Sequence, residues 1–271
     1  MTSPQVPPPP LAPSGAPVRL RRADALAVET SAFAALVAGA DPSAPVTACG
    51  AWRVADLVRH VVAVHRWAAA AASSGAAGLP DDAPFEAAAS ARGSGVEEYR
   101  DAAGELRAAL VDEAAPCPTL VGRGTRAWWV RRQLHEVLVH RHDLARAVGA
   151  WPAWSTSEEV AVDAVDEVVS TMWPRQVRLG RASAPADVVR LVTPSRTWAL
   201  GPVEQGPVAQ GPVAQGPVGH DEPVAELAGP ADVLALLLWR RLDLPAAEAA
   251  GARASGARAT VDALLALPLT P

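Results

Sequence analysis

Residues 127–149, AWWVRRQLHEVLVHRHDLARAVG, contain no proline, carry glycine only at their end, and place apolar side chains every three or four positions. That pattern predicts one long amphipathic helix around which the rest of the chain is organised. Within it Glu136 and His140 are four apart. On a helix this spacing turns through about 40° and sets a carboxylate and an imidazole on one face, roughly 6 Å apart, where one cation can be held. His135, five residues before His140, is rotated off that face. The same spacing also describes an ordinary surface pair worth a few tenths of a kcal/mol, so the metal reading needs an answer from elsewhere in the chain.

Residues 52–67, WRVADLVRHVVAVHRW, give that answer. Leu57, Val61 and Val64 form an apolar stripe, and His60 lies at its edge, about 40° from Val64. An imidazole placed there must find a partner, because burying it unpaired costs free energy. A third ligand from this neighbouring helix completes a Glu-His-His set. Three nitrogen and oxygen ligands with one position open is the arrangement of a working metal rather than a structural one. Asp56, one turn before His60, either holds the second imidazole nitrogen or favours the positive end of the helix dipole. His65 is rotated roughly 140° from His60 and is expected to face solvent.

The two motifs, W-x-V-x-D-L-x-x-H at residues 52–60 and H-E-x-x-x-H-x-x-D at residues 135–143, resemble the mycothiol-dependent maleylpyruvate isomerase family. The resemblance implies a mainly α chain: a DinB-like four-helix bundle followed by a small α/β, sterol-carrier-like C-terminal domain. It also implies that His60, Glu136 and His140 are the metal ligands, that Zn2+ or another divalent metal is carried, and that mycothiol is the thiol cosubstrate. The match runs from about residue 19 to the C-terminus and weakens after Pro174.

With 271 residues the chain exceeds the usual size of one domain, and two are expected. Residues 1–18 form a Pro-rich tail with neither the positive n-region nor the apolar h-region of a secretory signal, and such a tail is expected to stay disordered. Residues 19–175 are assigned to the helical metal-binding domain and residues 185–271 to the α/β domain. The net charge of −5 argues against a nucleic-acid partner. No apolar stretch approaches the roughly 20 residues that cross a bilayer. A cytoplasmic location follows, with a small anionic substrate and a thiol as partners, and a monomer or homodimer as the assembly.

Further helices are expected at residues 22–38, 52–72, 95–114 and 156–173. Arg131, Arg132, Arg141 and Arg146 surround the ligands in sequence, and an anionic substrate needs one or two such groups. Asp143 has His142, Arg146 and the metal site as candidate partners. Trp128, Trp129, Trp151 and Trp154 read as packing residues. Cys49 and Cys117 have no C-x-x-C neighbour or adjacent histidine and read as reduced, inert thiols.

After Pro174, residues 188–192 and 196–200 read as a hairpin. The five-residue GPV period at residues 201–219 reads as a flexible insertion, since Pro in every unit blocks a central strand and Gly weakens a helix. Then VAEL, GPAD and a helix ending in Arg240 and Arg241 are similar to the family's C-terminal domain. Arg241 is the residue expected to reach substrate carboxylates across the domain cleft. An arginine in the last turn of a helix also serves simply as a favourable charge at the dipole's negative end.

The chemistry follows from the ligand set. A thiol of pKa about 8.5 is mostly protonated at neutral pH, and lowering that value by two units takes about 2.7 kcal/mol of differential stabilisation, which a metal supplies. The resemblance then implies that the mycothiol sulfur adds to the activated C=C of maleylpyruvate, the single bond rotates, and elimination returns the trans isomer. Because a fold does not name a substrate, the expectation is an isomerase or transferase of this type. The alternative is a non-catalytic metal- or ligand-binding DinB-like protein.

Overall fold

The computed structural model describes residues 21–75, 77–201 and 224–271. The Pro-rich tail and all but the first residue of the GPV repeat lie outside the described residues.

Four helices make the bundle: α1 (Arg22–Gly39), α2 (Val54–Ser73), α4 (Val96–Ala109) and α5 (Arg126–Ala147), with a short α3 (Ala83–Arg92) between α2 and α4. Each long helix buries the stripe its periodicity foretells: Leu26 and Phe33 on α1, Leu57, Val58, Val61 and Val62 on α2, Tyr99 and Leu106 on α4, Trp129 and Leu134 on α5. α5 packs against both α1 and α2, and α4 covers the other side of α1 and α2. α5 is thus the helix most fully enclosed, and even its polar residues Gln133, His135, His140, Arg141, His142 and Asp143 are buried. Asp56 serves the start of α2, accepting from the Arg53 backbone N–H at 2.8 Å and from Arg59 at 2.5 Å. The helix-terminus alternative is the one the structure adopts for it.

Three features depart from the sequence reading. The stretch between α2 and α4, expected as a loop, contains α3, with Pro in its first turn where a missing N–H is harmless. The approach to α5 is a hairpin, β1 (Pro116–Thr119) paired antiparallel with β2 (Gly122–Thr125). The helix expected to stop at residue 173 begins as α6 (Glu158–Glu167), passes through a π-helical stretch at Val168–Met172 and continues as α7 (Trp173–Arg178). The widened turn precedes Pro174, which sits in the first turn of α7 and therefore breaks nothing.

The C-terminal sheet has the order β4 (Thr197–Leu200), β3 (Val189–Val192), β5 (Ala225–Ala228), β6 (Arg253–Gly256). β3 and β4 form the expected antiparallel hairpin, with Val189 opposite Leu200. β5 runs parallel to β3 and β6 antiparallel to β5. Gly256 has φ 75°, and a Cβ there would strike the Val224 carbonyl, so β6 can close on β5 only with glycine. α8 (Ala231–Leu238), α9 (Leu244–Ala249) and α10 (Arg258–Ala266) complete this part. α8 packs against α6, and α10 against β5 and β3. The architecture is mainly helical with a small sheet-containing C-terminal region. Among the described residues no helix is long and apolar enough to cross a membrane.

Candidate metal centre

α2 and α5 lie side by side and bring three side chains to one point. His60 stands at the edge of the α2 stripe with 27 % of its side chain exposed, while Leu57 and Val61 beside it are fully buried. Glu136 and His140 share one face of α5. His60 Nε2 and His140 Nε2 each lie 3.3 Å from Glu136 Oε1, and the donor atoms of all three residues fall within 4.8 Å of one another. A metal with bonds of about 2.0–2.1 Å spaces its tetrahedral nitrogen and oxygen ligands about 3.3–3.4 Å apart. The spacing is therefore that of a tetrahedral edge, and longer than a strong charge-assisted hydrogen bond.

The proton arrangement agrees with the spacing. Asp143 Oδ2 lies 3.0 Å from His140 Nδ1, placed to hold a hydrogen there, so that a cation bound beside Glu136 would take Nε2 in place of a proton. Arg132 Nη2 occupies the other Glu136 oxygen at 2.7 Å, leaving Oε1 for the centre. The His60 ring packs 5.0 Å from Trp52 and edge-on to His140 at 5.2 Å. Two imidazoles and one carboxylate, oriented by a carboxylate and a guanidinium behind them, fit a divalent cation such as zinc.

Electrostatics point the same way. Burial alone would raise the Glu136 carboxyl, but His140, His60 and Arg132 outweigh it and hold the group well below the usual carboxylate range. Burial would lower His140, yet Asp143, Cys49 and Glu136 lift it well above the usual imidazole value. Asp143 is likewise held far down, against its burial, by His140, His142 and Arg241. In the metal-free protein the Glu136 and Asp143 charges are met by a protonated His140 together with Arg132 and Arg241, and a bound cation would replace that proton.

Arg241 reaches this centre from the far domain. It follows α8 through Arg240, whose φ of 59° is left-handed, and the Arg241 N–H returns to the Leu236 carbonyl at 2.7 Å. This is a Schellman-type stop built without glycine. It aims the guanidinium at Asp143, with Nε 3.0 Å from Oδ1 and Nη2 2.8 Å from Oδ2, while Nη1 donates to the Trp239 carbonyl at 2.8 Å. Trp239 in turn carries the Arg132 guanidinium over its ring at 4.9 Å.

Two neighbours escaped the sequence reading. Cys49, expected to be remote from any histidine, sits with Sγ 3.6 Å from Asp143 Oδ2 and forms a close group with His140 and Asp143. Only the tertiary fold brings the loop before α2 against α5, so no local signal announced it. His65, expected in solvent, is fully buried, with Nδ1 2.7 Å from Gln133 Oε1. The helical wheel placed it away from His60 correctly, but α4 covers that side of α2 as well.

The arginines near the ligands are mostly committed. Arg132 pairs with Glu136 and with buried Glu167. Arg131 lies 2.8 Å from Asp166 and Arg141 2.5 Å from Glu29, and Arg146 stacks on Trp151 at 5.4 Å. His135, off the ligand face as expected, bridges two carboxylates, with Nδ1 3.0 Å from Glu167 and Nε2 3.2 Å from Asp163. Trp129 is fully buried and Trp128 packs on it at 4.9 Å, whereas Trp151 keeps 38 % of its surface exposed.

Two family models match the chain. One, the mycothiol maleylpyruvate isomerase N-terminal domain, matches residues 23–145, and the other, the MDMPI C-terminal domain, matches residues 159–263. Among solved structures, the crystal structure of a mycothiol-dependent maleylpyruvate isomerase is similar over 86 % of this chain and 91 % of its own, with a TM-score of 0.58 and 14 % identity. A variant of that isomerase with one histidine replaced by alanine is similar over the same shares, with a TM-score of 0.55 and 13 % identity. At these identities the likeness is one of fold. No curated protein matches the chain.

Proposed function

The chain belongs to the mycothiol-dependent maleylpyruvate isomerase family, and from that premise we propose that it is a divalent-metal-dependent enzyme using mycothiol, a low-molecular-weight thiol, to isomerise or transfer onto a small anionic substrate. The observation that carries the reading is the meeting of His60, Glu136 and His140 at the spacing of a tetrahedral edge. A divalent cation bound there supplies a Lewis acid that brings a thiol's pKa down into the range where it is ionised at neutral pH.

The protein's own residues do the rest. Glu136 contributes one negative charge to the ligand set, and Arg132 keeps its second oxygen turned away. Asp143 fixes the tautomer of His140, and Arg241 fixes Asp143. Arg241 also brings the positive charge that an anionic substrate needs, with 15 % of its side chain exposed. His60 is the most exposed of the three candidate ligands, so a thiol or substrate would approach the centre from its side. In the isomerisation the thiolate would add to a C=C conjugated with a carbonyl to give an enolate, the former double bond would rotate, and elimination would return both the trans alkene and the thiolate. No protein nucleophile is required.

Two measurements test this. Purified protein is expected to carry stoichiometric divalent metal, zinc foremost, and His60→Ala to lose it; metal content indifferent to that change would overturn the ligand assignment. Mycothiol is expected to shift the visible spectrum of a cobalt-substituted form. A bound but unresponsive cobalt would favour a non-catalytic metal-binding protein.

A further inference from the structure

The two histidines of the candidate centre are held in different ways. His140 has Asp143 beside its Nδ1 at 3.0 Å, with Arg241 behind that carboxylate. His60 presents Nε2 to Glu136 at 3.3 Å, and its Nδ1 meets no acceptor among the described residues. Asp56, one turn earlier on α2, is the carboxylate nearest to it in sequence, but it is engaged by the Arg53 N–H and by Arg59. A histidine that ligates a metal ordinarily has its other ring nitrogen fixed by a neighbouring acceptor, which sets the orientation of the ring. His60 is oriented by something else.

What lies against the His60 ring is aromatic. The Trp52 indole stands 5.0 Å from it at an interplanar angle of 52°, and the His140 ring meets it edge-on from α5. Rings about 4.5–7 Å apart and tilted rather than face to face attract one another. Trp52 is itself fixed before α2 begins. Its carbonyl accepts from the Val46 N–H at 2.8 Å, and its N–H donates to the Cys49 carbonyl at 3.4 Å. The Val54 N–H donates to the Ala44 carbonyl at 2.9 Å, and Pro45 and Arg53 form a bridge across the base of the loop. The half-buried indole also packs against the core. A large side chain with only two torsions, on a pinned backbone, is rigid enough to limit the ring it touches.

We propose that Trp52 is the positioning residue for His60, holding by ring packing the one imidazole of the centre that no carboxylate orients. The proposal rests on the metal reading given above. Trp52 supplies no charge to the centre, and its part is to restrict rotation of the His60 ring so that Nε2 stays turned toward Glu136.

The test uses full-length protein loaded with cobalt, whose visible absorption reports the geometry of its ligands. Affinity is measured by competition with a chromophoric chelator, and the spectrum is taken at saturation. Trp52→Leu is expected to bind cobalt about three- to tenfold more weakly, the range of one aromatic pair, and to show a weaker band at saturation as a loosened His60 admits a further ligand. Trp52→Phe, which keeps a ring at the position, is expected to stay close to the parent in both. The parent's spectrum in saturated Trp52→Leu would overturn the proposal, because a general loss of stability lowers affinity without changing the bound geometry. Equal losses in the two variants would overturn it as well, since the ring would then not be what acts. Failure of the metal reading itself looks different: His60→Ala would then carry cobalt with the parent's affinity and spectrum, and the proposal would fall with it.

Discussion

Arg241 and Asp143, 98 positions apart in sequence, meet in a two-pronged ion pair, Nε to Oδ1 at 3.0 Å and Nη2 to Oδ2 at 2.8 Å. Asp143 Oδ2 also takes the His140 hydrogen at 3.0 Å. The sheet-containing region therefore reaches the candidate metal centre through Asp143, as it does through Trp239 under the Arg132 that holds Glu136, and the orientation of one ligand depends on a residue in another part of the fold.

Asp143→Asn keeps the shape but removes the charge that fixes the His140 tautomer. Groups orienting a metal's histidine ligand are typically worth 10–100-fold in affinity. Zinc affinity, measured by competition with a chromophoric chelator, is expected to fall by about that factor, about 10–100-fold, without loss of the fold. An unchanged affinity would mean that Asp143 does not act on the metal.

Arg241→Met leaves Asp143 buried without its cation. Removing one partner of a buried pair costs about 3–5 kcal/mol, because the charge left behind is uncompensated. Urea unfolding of the metal-free chain is expected to show a loss of that order, and the Asp143→Asn, Arg241→Met double variant a smaller one. If the two single losses simply added in the double variant, the pair would not be coupled.

His65 gives a pH signature that is read in the metal-free protein. Its burial, only partly countered by Gln133, brings its pKa down from 6.5 to about 4. Between those values the unfolded chain binds a proton that the folded chain refuses, so stability falls as pH drops from 6.5 to about 4 and is unaffected by this group above 6.5. The total is about 3 kcal/mol at about 1.4 kcal/mol per unit. Comparing metal-free parent with His65→Gln in urea at successive pH values is expected to show the parent losing this extra stability in acid. Parallel pH profiles would show that His65 is not held neutral.

How much of this was legible beforehand follows from the range of each interaction. The long α5, the stripe of α2 and the hairpin of β3 and β4 follow from periodicity within one segment. That signal also located Glu136, His140 and His60 on faces able to meet. What stayed hidden depends on packing between segments: the burial of His65, the approach of Cys49 to Asp143, and the Asp143 partner of Arg241. The extension of the α6 helix past Pro174 was hidden for another reason. A proline reads as a stop, and only the π-helical stretch at Val168–Met172 shows how the chain absorbs it.

Arg240 supplies the last test, because its backbone sets where Arg241 points. With φ at 59° it occupies a conformation that costs a residue with a Cβ about 1–2 kcal/mol. Its side chain offsets part of this by donating to the Ala266 and Leu267 carbonyls at 3.1 and 2.7 Å. Arg240→Ala and Arg240→Gly lose those bonds equally, and they differ in the backbone alone. Glycine gains unfolded-state entropy, which works against it by roughly 0.4–1 kcal/mol, but escapes the left-handed penalty. Thermal unfolding is therefore expected to rank Arg240→Gly above Arg240→Ala, both retaining the Arg241 to Asp143 contact. The reverse order would show that the turn after α8 relaxes out of the left-handed region when Arg240 is removed.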